Sequence, residues 1–189
     1  MKKSSVVIAV MVAFAIGFVA GLIWAAYKGP PPGLGPEQRT AARPAQALSE
    51  ALQSRLAKLE QRVQADPANF ETLVEAGNFC FDHDLYDQAA RYYQMALKIR
   101  PDDPNVLTDL AIVFRRTGHP KKAVSLLGQA RKADPLHQNS ALNLGIVLLH
   151  DLNDKKAALK AWEDYLALNP QGEQATMIRR VVNQLREEL

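Results

Sequence analysis

Apolar side chains along the chain follow two patterns. From Val6 to Tyr27 they run for 22 residues without a charged side chain. From residue 45 onward they recur every three or four positions, the spacing of a helix with one buried face. The continuous run predicts a helix roughly 33 Å long, enough to cross a hydrocarbon layer of about 30 Å. Trp24 and Tyr27 sit at its far end, where amphipathic rings favour the headgroup layer. Lys2 and Lys3 precede it and favour a cytoplasmic N-terminus over residues 1–5. A cleaved signal peptide has a shorter apolar core and a small-x-small cut site. Ile23-Trp24-Ala25-Ala26 places bulky residues there instead. Ala9, Ala13, Gly17, Gly21 and Ala25 recur every four residues, a small-residue stripe of the kind that lets membrane helices pack closely.

Residues 28–44 have no apolar period and carry Pro30, Pro31, Pro32, Pro36 and Pro44 with Gly29, Gly33 and Gly35. Proline fixes φ and removes a donor, so this stretch reads as an extended, partly stiff spacer. The remainder, 45–189, repeats. Pro67, Pro101, Pro135 and Pro170 stand 34, 34 and 35 residues apart, each behind an apolar helical run. That period predicts pairs of helices stacked into an all-α solenoid.

The residues inside the period resemble the tetratricopeptide repeat. Repeat 70–103 places Leu73, Ala76, Gly77, Cys80, Ala89, Tyr93, Ala96 and Pro101 at the family's positions. Repeat 104–137 places Leu107, Leu110, Ala111, Phe114, Ala123, Leu127, Ala130 and Pro135 there. Repeat 138–171 places Ala141, Leu144, Gly145 and Leu148. After one extra residue in the turn between its helices it continues with Ala158, Trp162, Tyr165 and Pro170. Leu or Ala replaces the family's early Trp, and Tyr165 fills a site that is usually small. Two helices flank the array. A leading helix over 45–66 carries the stripe Leu48, Leu52, Leu56, Leu59 and Val63. A trailing helix over 173–188 carries Ile178, Val181, Val182 and Leu185. Both read as caps on the open ends of a solenoid.

The resemblance implies a concave groove lined by the first helix of each repeat. It places Val74 and Asn78 there from the first repeat, beside Glu71, Glu75, Phe81 and Asp82. The second repeat contributes Asn105, Asp109, Ile112 and Arg116, and the third Asn139, Leu142, Asn143 and Ile146, with Leu149 and His150. Asparagine amides hydrogen-bond both peptide N–H and C=O groups, and the aliphatic members suit apolar side chains. The expected ligand is a peptide or helix of a partner protein. Tetratricopeptide domains that grip chaperone tails use a clamp of Lys, Asn, Asn, Lys and Arg. The matching positions here are Val74, Asn78, Asp109, Asn139 and Asn143, which leave no cation for a terminal carboxylate.

Charge sharpens this picture. The net +3 of the whole chain is uneven: residues 1–44 hold five cations against one anion, and 45–189 hold 18 against 19. The body is near neutral, which removes the compositional support for nucleic-acid binding. Within it, 70–103 carries three cations and seven anions, and 104–137 six and two. The basic band of Arg115, Arg116, Lys121, Lys122, Arg131 and Lys132 reads first as a solvated face pairing with its acidic neighbour.

No hydrolase, zincin, phosphate-loop or dinucleotide motif is present. No catalytic residue, cofactor or metal is therefore expected. The single cysteine, Cys80, rules out an internal disulfide and falls at a buried repeat position. Three repeats closed by one helix behind a single anchor resemble bacterial periplasmic assembly factors, in particular the tetratricopeptide proteins of c-type cytochrome biogenesis. The resembling features are Ala158-Leu159-Lys160-Ala161-Trp162-Glu163 through Asn169-Pro170, and the trailing helix with Ile178. This resemblance implies a scaffold in the bacterial inner membrane whose periplasmic groove captures an apocytochrome segment. An accessory subunit of a translocation, secretion or envelope-assembly complex is the alternative. A homo-oligomeric structural module is the third reading.

Overall fold

The 34-residue period carries its own punctuation. A computed structural model describes residues 36–189, with side chains from Ser49 onward. Its described helices are α1 (Pro36–Ala65), α2 (Phe70–Asp82), α3 (Tyr86–Ile99), α4 (Pro104–Arg116), α5 (Pro120–Ala133), α6 (Gln138–Ile146), α7 (Lys155–Leu168) and α8 (Glu173–Glu188). The chain divides into two compact units, Met1–Leu52 and Gln53–Leu189. In the first, the described backbone is helical from Pro36. The second holds the interactions that follow.

Each first helix of a repeat starts on a cap one period from the last. Asn69 accepts from the Thr72 amide at 2.9 Å, and Asp103 from the Asn105 and Val106 amides at 3.0 Å each. His137 Nδ1 accepts from the Ser140 amide at 3.3 Å. Three residue types thus satisfy the same orphan donors. The turns inside the repeats are equally regular. The carbonyls of Cys80, Phe114 and Leu148 accept from the amides of Leu85, His119 and Asp154 at 2.8, 2.7 and 2.8 Å. The residue just before each donor, Asp84, Gly118 or Asn153, takes positive φ. Gly reaches that conformation without cost, and Asp and Asn are the side chains that tolerate it best.

The third repeat corrects one expectation. Its extra residue is not in the turn. It is absorbed at the end of the first helix, where Val147–Asp151 form a π-helical turn and the Leu152 amide reaches back to the Val147 carbonyl. A π turn takes up one residue within the helix, so the turn that follows keeps its geometry.

Helix pairs close by matched volume. Gly77 faces Tyr93, Ala111 packs in one cluster with Leu127, and Gly145 faces Trp162. The smaller the residue on the first helix, the larger its partner. Trp162 is 2% exposed, and its Nε1 donates to the Leu142 carbonyl at 3.1 Å. Leu59 and Val63 of α1 are buried, as the leading stripe predicts. At the other end Val182 and Leu185 of α8 join Trp162 and Tyr165 in one core cluster. Tyr165 outgrows its small-residue position because α8 lies over it. Its hydroxyl donates to Gln174 and accepts from Asn169.

The expected span 6–27, its stripe Ala9, Ala13, Gly17, Gly21 and Ala25, and spacer residues 28–35 lie outside the described residues. Among the described residues no helix is long and apolar enough to cross a membrane. The last nine residues of the expected spacer, 36–44, are helical instead of extended. Pro36 occupies the first turn, where its missing N–H costs nothing, and Glu37 to Arg43 are mostly good helix formers. Pro44 removes one rung of the ladder without ending the helix.

Candidate partner-binding groove

The concave surface of a stacked-repeat solenoid is lined by the first helices of its repeats. Here these are α2, α4 and α6. On α2, Val74 is half-buried and Asn78 exposed. Asn78 is held from below: its Oδ1 accepts from the Tyr93 hydroxyl at 2.7 Å. That engagement leaves its amide N–H groups for a ligand. Burial, with Asp109 and Asp82 nearby, keeps Tyr93 protonated well above the usual phenol range. An open cleft of about 460 Å³ lies along this helix, between Arg55 of α1 and the α2 side chains Phe70, Val74, Asn78, Phe79 and Asp82.

The carboxylates of this face divide into two kinds. Glu75 pairs with Arg62 at 2.6 Å, and Glu71 with Arg100 at 2.8 Å. These are exposed pairs on the rim, each worth little in water. The Glu71 carboxyl is held low by its own backbone hydrogen bond first and by Arg100 second. Asp82 and Asp109 have no ion pair among the described residues. Asp109 is half-buried on α4, and burial, then the nearby Asp103, pushes its carboxyl up to about 6.

On α4, Asn105 is exposed and its Oδ1 lies 3.2 Å from His137 Nε2, which ties it to the head of α6. Ile112 is half-buried and Arg116 exposed. Arg115 is taken up by Asp151 at 2.5 Å, and Arg131 by Asp164 at 2.6 Å. The basic band of the second repeat is therefore partly neutralised by the third repeat, not by the acidic first repeat as the charge pattern suggested. The π turn contributes to this by carrying Asp151.

The third repeat contributes less than its sequence promised. Asn139 is exposed and Asn143 half-buried, with Asn143 Nδ2 donating to the Asn139 carbonyl at 2.8 Å. Leu142 is only 7% exposed and sits in the core with Val182 and Leu185. Ile146 and Leu149 pack against the same cluster beside Ile178 and Val181. The trailing helix stands where a fourth repeat would begin, and it covers the aliphatic side chains of α6. Leu142 is thus removed from the docking surface, and Ile146 is largely occupied by the cap. What the cap α8 leaves uncovered lies on the first helices of the first two repeats: Val74, Asn78 and Asp82 on α2, and Asn105, Asp109 and Ile112 on α4.

Three participants were not visible as such in the sequence. Tyr93 was legible as a packing residue, but its hydroxyl contact to Asn78 was not. Arg55 belongs to the leading helix, which read only as a cap. His137 fell in a loop, and only its 34-residue offset from Asn69 and Asp103 marks it as a cap. Cys80 is fully buried, its thiol is pushed up to about 11 mainly by burial, and it donates to Gln88 Oε1 at 3.7 Å. Such a thiol is a core group and a poor nucleophile. Among the described residues no three His, Cys, Asp or Glu side chains stand together as a metal site.

A model of the tetratricopeptide repeat matches residues 81–138. Protein O-mannosyl-transferase Tmtc3 of Drosophila melanogaster is 24% identical over 117 residues, which are 62% of this chain and 13% of that protein. The chain therefore spans about an eighth of that relative's length. The crystal structure of MamA is similar with a TM-score of 0.66 at 16% identity, over 76% of this chain and 82% of that one. The first tetratricopeptide domain of Spaghetti (RPAP3), solved bound to the HSP90 peptide SRMEEVD, is similar with a TM-score of 0.57 at 24% identity, over 62% and 95%. Together with the 34-residue period, the recurring caps and the matched helix pairs, these findings give the body of this chain the fold of a tetratricopeptide-repeat solenoid, with the repeat model itself matching residues 81–138.

Proposed function

We propose that this chain is a membrane-tethered scaffold that holds a segment of a partner protein on the α2–α4 face of its solenoid. One observation carries the reading: Asn78, Asn105, Val74 and Ile112 line a face that the caps leave open, whereas the equivalent aliphatic side chains of α6 are covered. The RPAP3 domain, similar in fold, holds a peptide, and that supports a peptide as the ligand class here. The charge-free run 6–27 supports a single anchor in a bacterial inner membrane, with the solenoid on the periplasmic side. Resemblance of the third repeat and trailing helix to cytochrome-maturation factors supports an apocytochrome segment as cargo.

Photocrosslinking tests this. A photoreactive amino acid is placed at Asn105 on the open face, and in a second variant at Lys122, the exposed second residue of the α5 first turn pair Lys121-Lys122. Irradiation of intact membranes is expected to give discrete adducts from Asn105 and few from Lys122. Adducts from Lys122 alone would overturn the groove reading. Translocon subunits without any apocytochrome among the Asn105 adducts would keep the groove and replace the pathway.

A further inference from the structure

We infer that His137 is a positioning residue of the groove. It turns Asn105 so that this part of the face meets its ligand with N–H groups, and the ligand there is an extended segment offering its carbonyl oxygens. The inference rests on the groove reading above and specifies how that face recognises its ligand.

The polarity of the imidazole follows from its backbone partner. The Ser140 amide can only donate, and it lies 3.3 Å from His137 Nδ1. Nδ1 is therefore the acceptor, and the ring proton sits on Nε2. Nε2 lies 3.2 Å from Asn105 Oδ1, so this bond runs from the imidazole to the amide oxygen. The contact fixes the amide of Asn105. Its oxygen is engaged, and its two N–H groups are left at an exposed position. The His137 backbone is itself held on both sides. Ser140 Oγ donates to its carbonyl at 2.8 Å, and its amide donates to the Asp134 carbonyl at 3.1 Å. One side chain thus caps α6 and sets the orientation of a side chain on α4.

Asn78 on α2 repeats the arrangement with a different donor. Tyr93 is almost wholly buried, and Asn78 Oδ1, at 2.7 Å, is the only hydrogen-bond partner of its hydroxyl among the described residues. A buried O–H without an acceptor is costly, so the proton goes to Oδ1 and the Asn78 N–H groups are again left free. Asn143 on α6 is turned the other way, with its Nδ2 spent on the Asn139 carbonyl. The uncovered asparagines of the first two repeats therefore donate. A helix spends its carbonyls on its own ladder until the last turn. An extended segment presents unspent carbonyls along its length, which is what a donating face can take up.

The test uses the full-length chain and an array of random decapeptides of uncharged residues, printed in linear and in hydrocarbon-stapled helical form. Linear peptides are expected to retain about tenfold more protein than stapled ones. Asn105→Asp keeps the oxygen that His137 engages and replaces the N–H groups by a second oxygen. It should lower retention by about tenfold. His137→Asn and His137→Gln separate the two roles of the imidazole. Asparagine reproduces the cap, as Asn69 does on α2, but is too short to reach Asn105. That variant should melt like the parent and retain about threefold less peptide. Glutamine supplies a donor toward Asn105 and loses the cap, so it should melt lower while its folded form retains peptide like the parent. Nitrogen-15 spectra of the free protein at alkaline pH should place the His137 proton on Nε2. A proton on Nδ1, retention untouched by Asn105→Asp or by His137→Asn, or equal or greater retention by stapled peptides overturns the inference and leaves the groove reading standing. Retention that survives Asn105→Arg, or no retention by any peptide, overturns the groove reading itself.

Discussion

Gly145→Ala is expected to lower the stability of the solenoid by about 3 kcal/mol, with a loss of roughly 6–12 °C in melting temperature. An ideal Cβ at this position would lie 2.5 Å from Cε2 of Trp162 and closer still to Nε1 and Cδ1. Real Cβ contacts are not found at that range, so something must move. The indole cannot swing away cheaply. It is almost fully buried, and its Nε1 is bonded to the Leu142 carbonyl of α6 itself. Displacing it gives up that bond as well as the packing. The second repeat shows the alternative solution, with Ala111 and Leu127 in one cluster. The double variant Gly145→Ala/Trp162→Leu should therefore be more stable than the sum of its single changes by at least about 1 kcal/mol. Thermal and urea unfolding of the four proteins measure this directly. Additive losses would show that the two positions do not constrain one another. Gly77→Ala should be damaging for the same reason, because its Cβ would stand 2.5 Å from Cε1 of Tyr93.

Asp109→Asn is expected to act in the opposite direction, stabilising the protein at neutral pH by about 3 kcal/mol. Burial pushes the Asp109 carboxyl up from 3.8 to about 6 in the folded protein. Above about 6 the folded protein carries the ionised form at a cost that the unfolded chain does not bear. Between about 4 and 6 the fold binds a proton that the unfolded chain releases, so this group's contribution to stability grows as pH falls. The amide has no such dependence. Its advantage should be full at about pH 7 and shrink to roughly a third near pH 4.5. Other titrating groups are common to both proteins and cancel in the difference. Urea unfolding of parent and variant at the two pH values tests the sign. A variant less stable than its parent at neutral pH would mean that Asp109 already has a cation.

Most of the fold was legible because the repeat states it three times. The helix pairs, their order and the small-against-large positions within each pair follow from the period once its phase is set, whereas the caps at 69, 103 and 137 and the left-handed residues at 84, 118 and 153 keep the same period but emerge only from the backbone. The extra residue of the third repeat was legible as an insertion but not as a π turn. Either placement preserves the Leu148 carbonyl contact, and only the backbone decides between them. The start of α1 was misread because Pro36 and Pro44 frame a short stretch whose other residues favour a helix. The groove was half legible. Position within the repeat placed Val74, Asn78, Asn105, Asp109 and Ile112 correctly on the first helices. It could not show that α8 would lie over Leu142 and Ile146, because that depends on how a trailing helix docks and not on the repeat itself. The ion pairs were least legible. Arg115 and Arg131 chose Asp151 and Asp164 of the following repeat, and net charge per repeat carries no information about direction.

The central claim is that a partner engages the α2–α4 face. The most direct measurement is the affinity of the partner captured at Asn105 for three forms of the full-length chain: the parent, Asn105→Arg and Lys122→Glu. Both altered residues are exposed; Asn105→Arg gives up the contact to His137 and Lys122→Glu the one to the Phe114 ring, so the melting temperature of each variant is read beside its affinity. Binding weakened by about tenfold or more in Asn105→Arg, and unchanged in Lys122→Glu, is the predicted result. Binding that survives Asn105→Arg and is lost in Lys122→Glu would contradict the account and move the partner to the basic band.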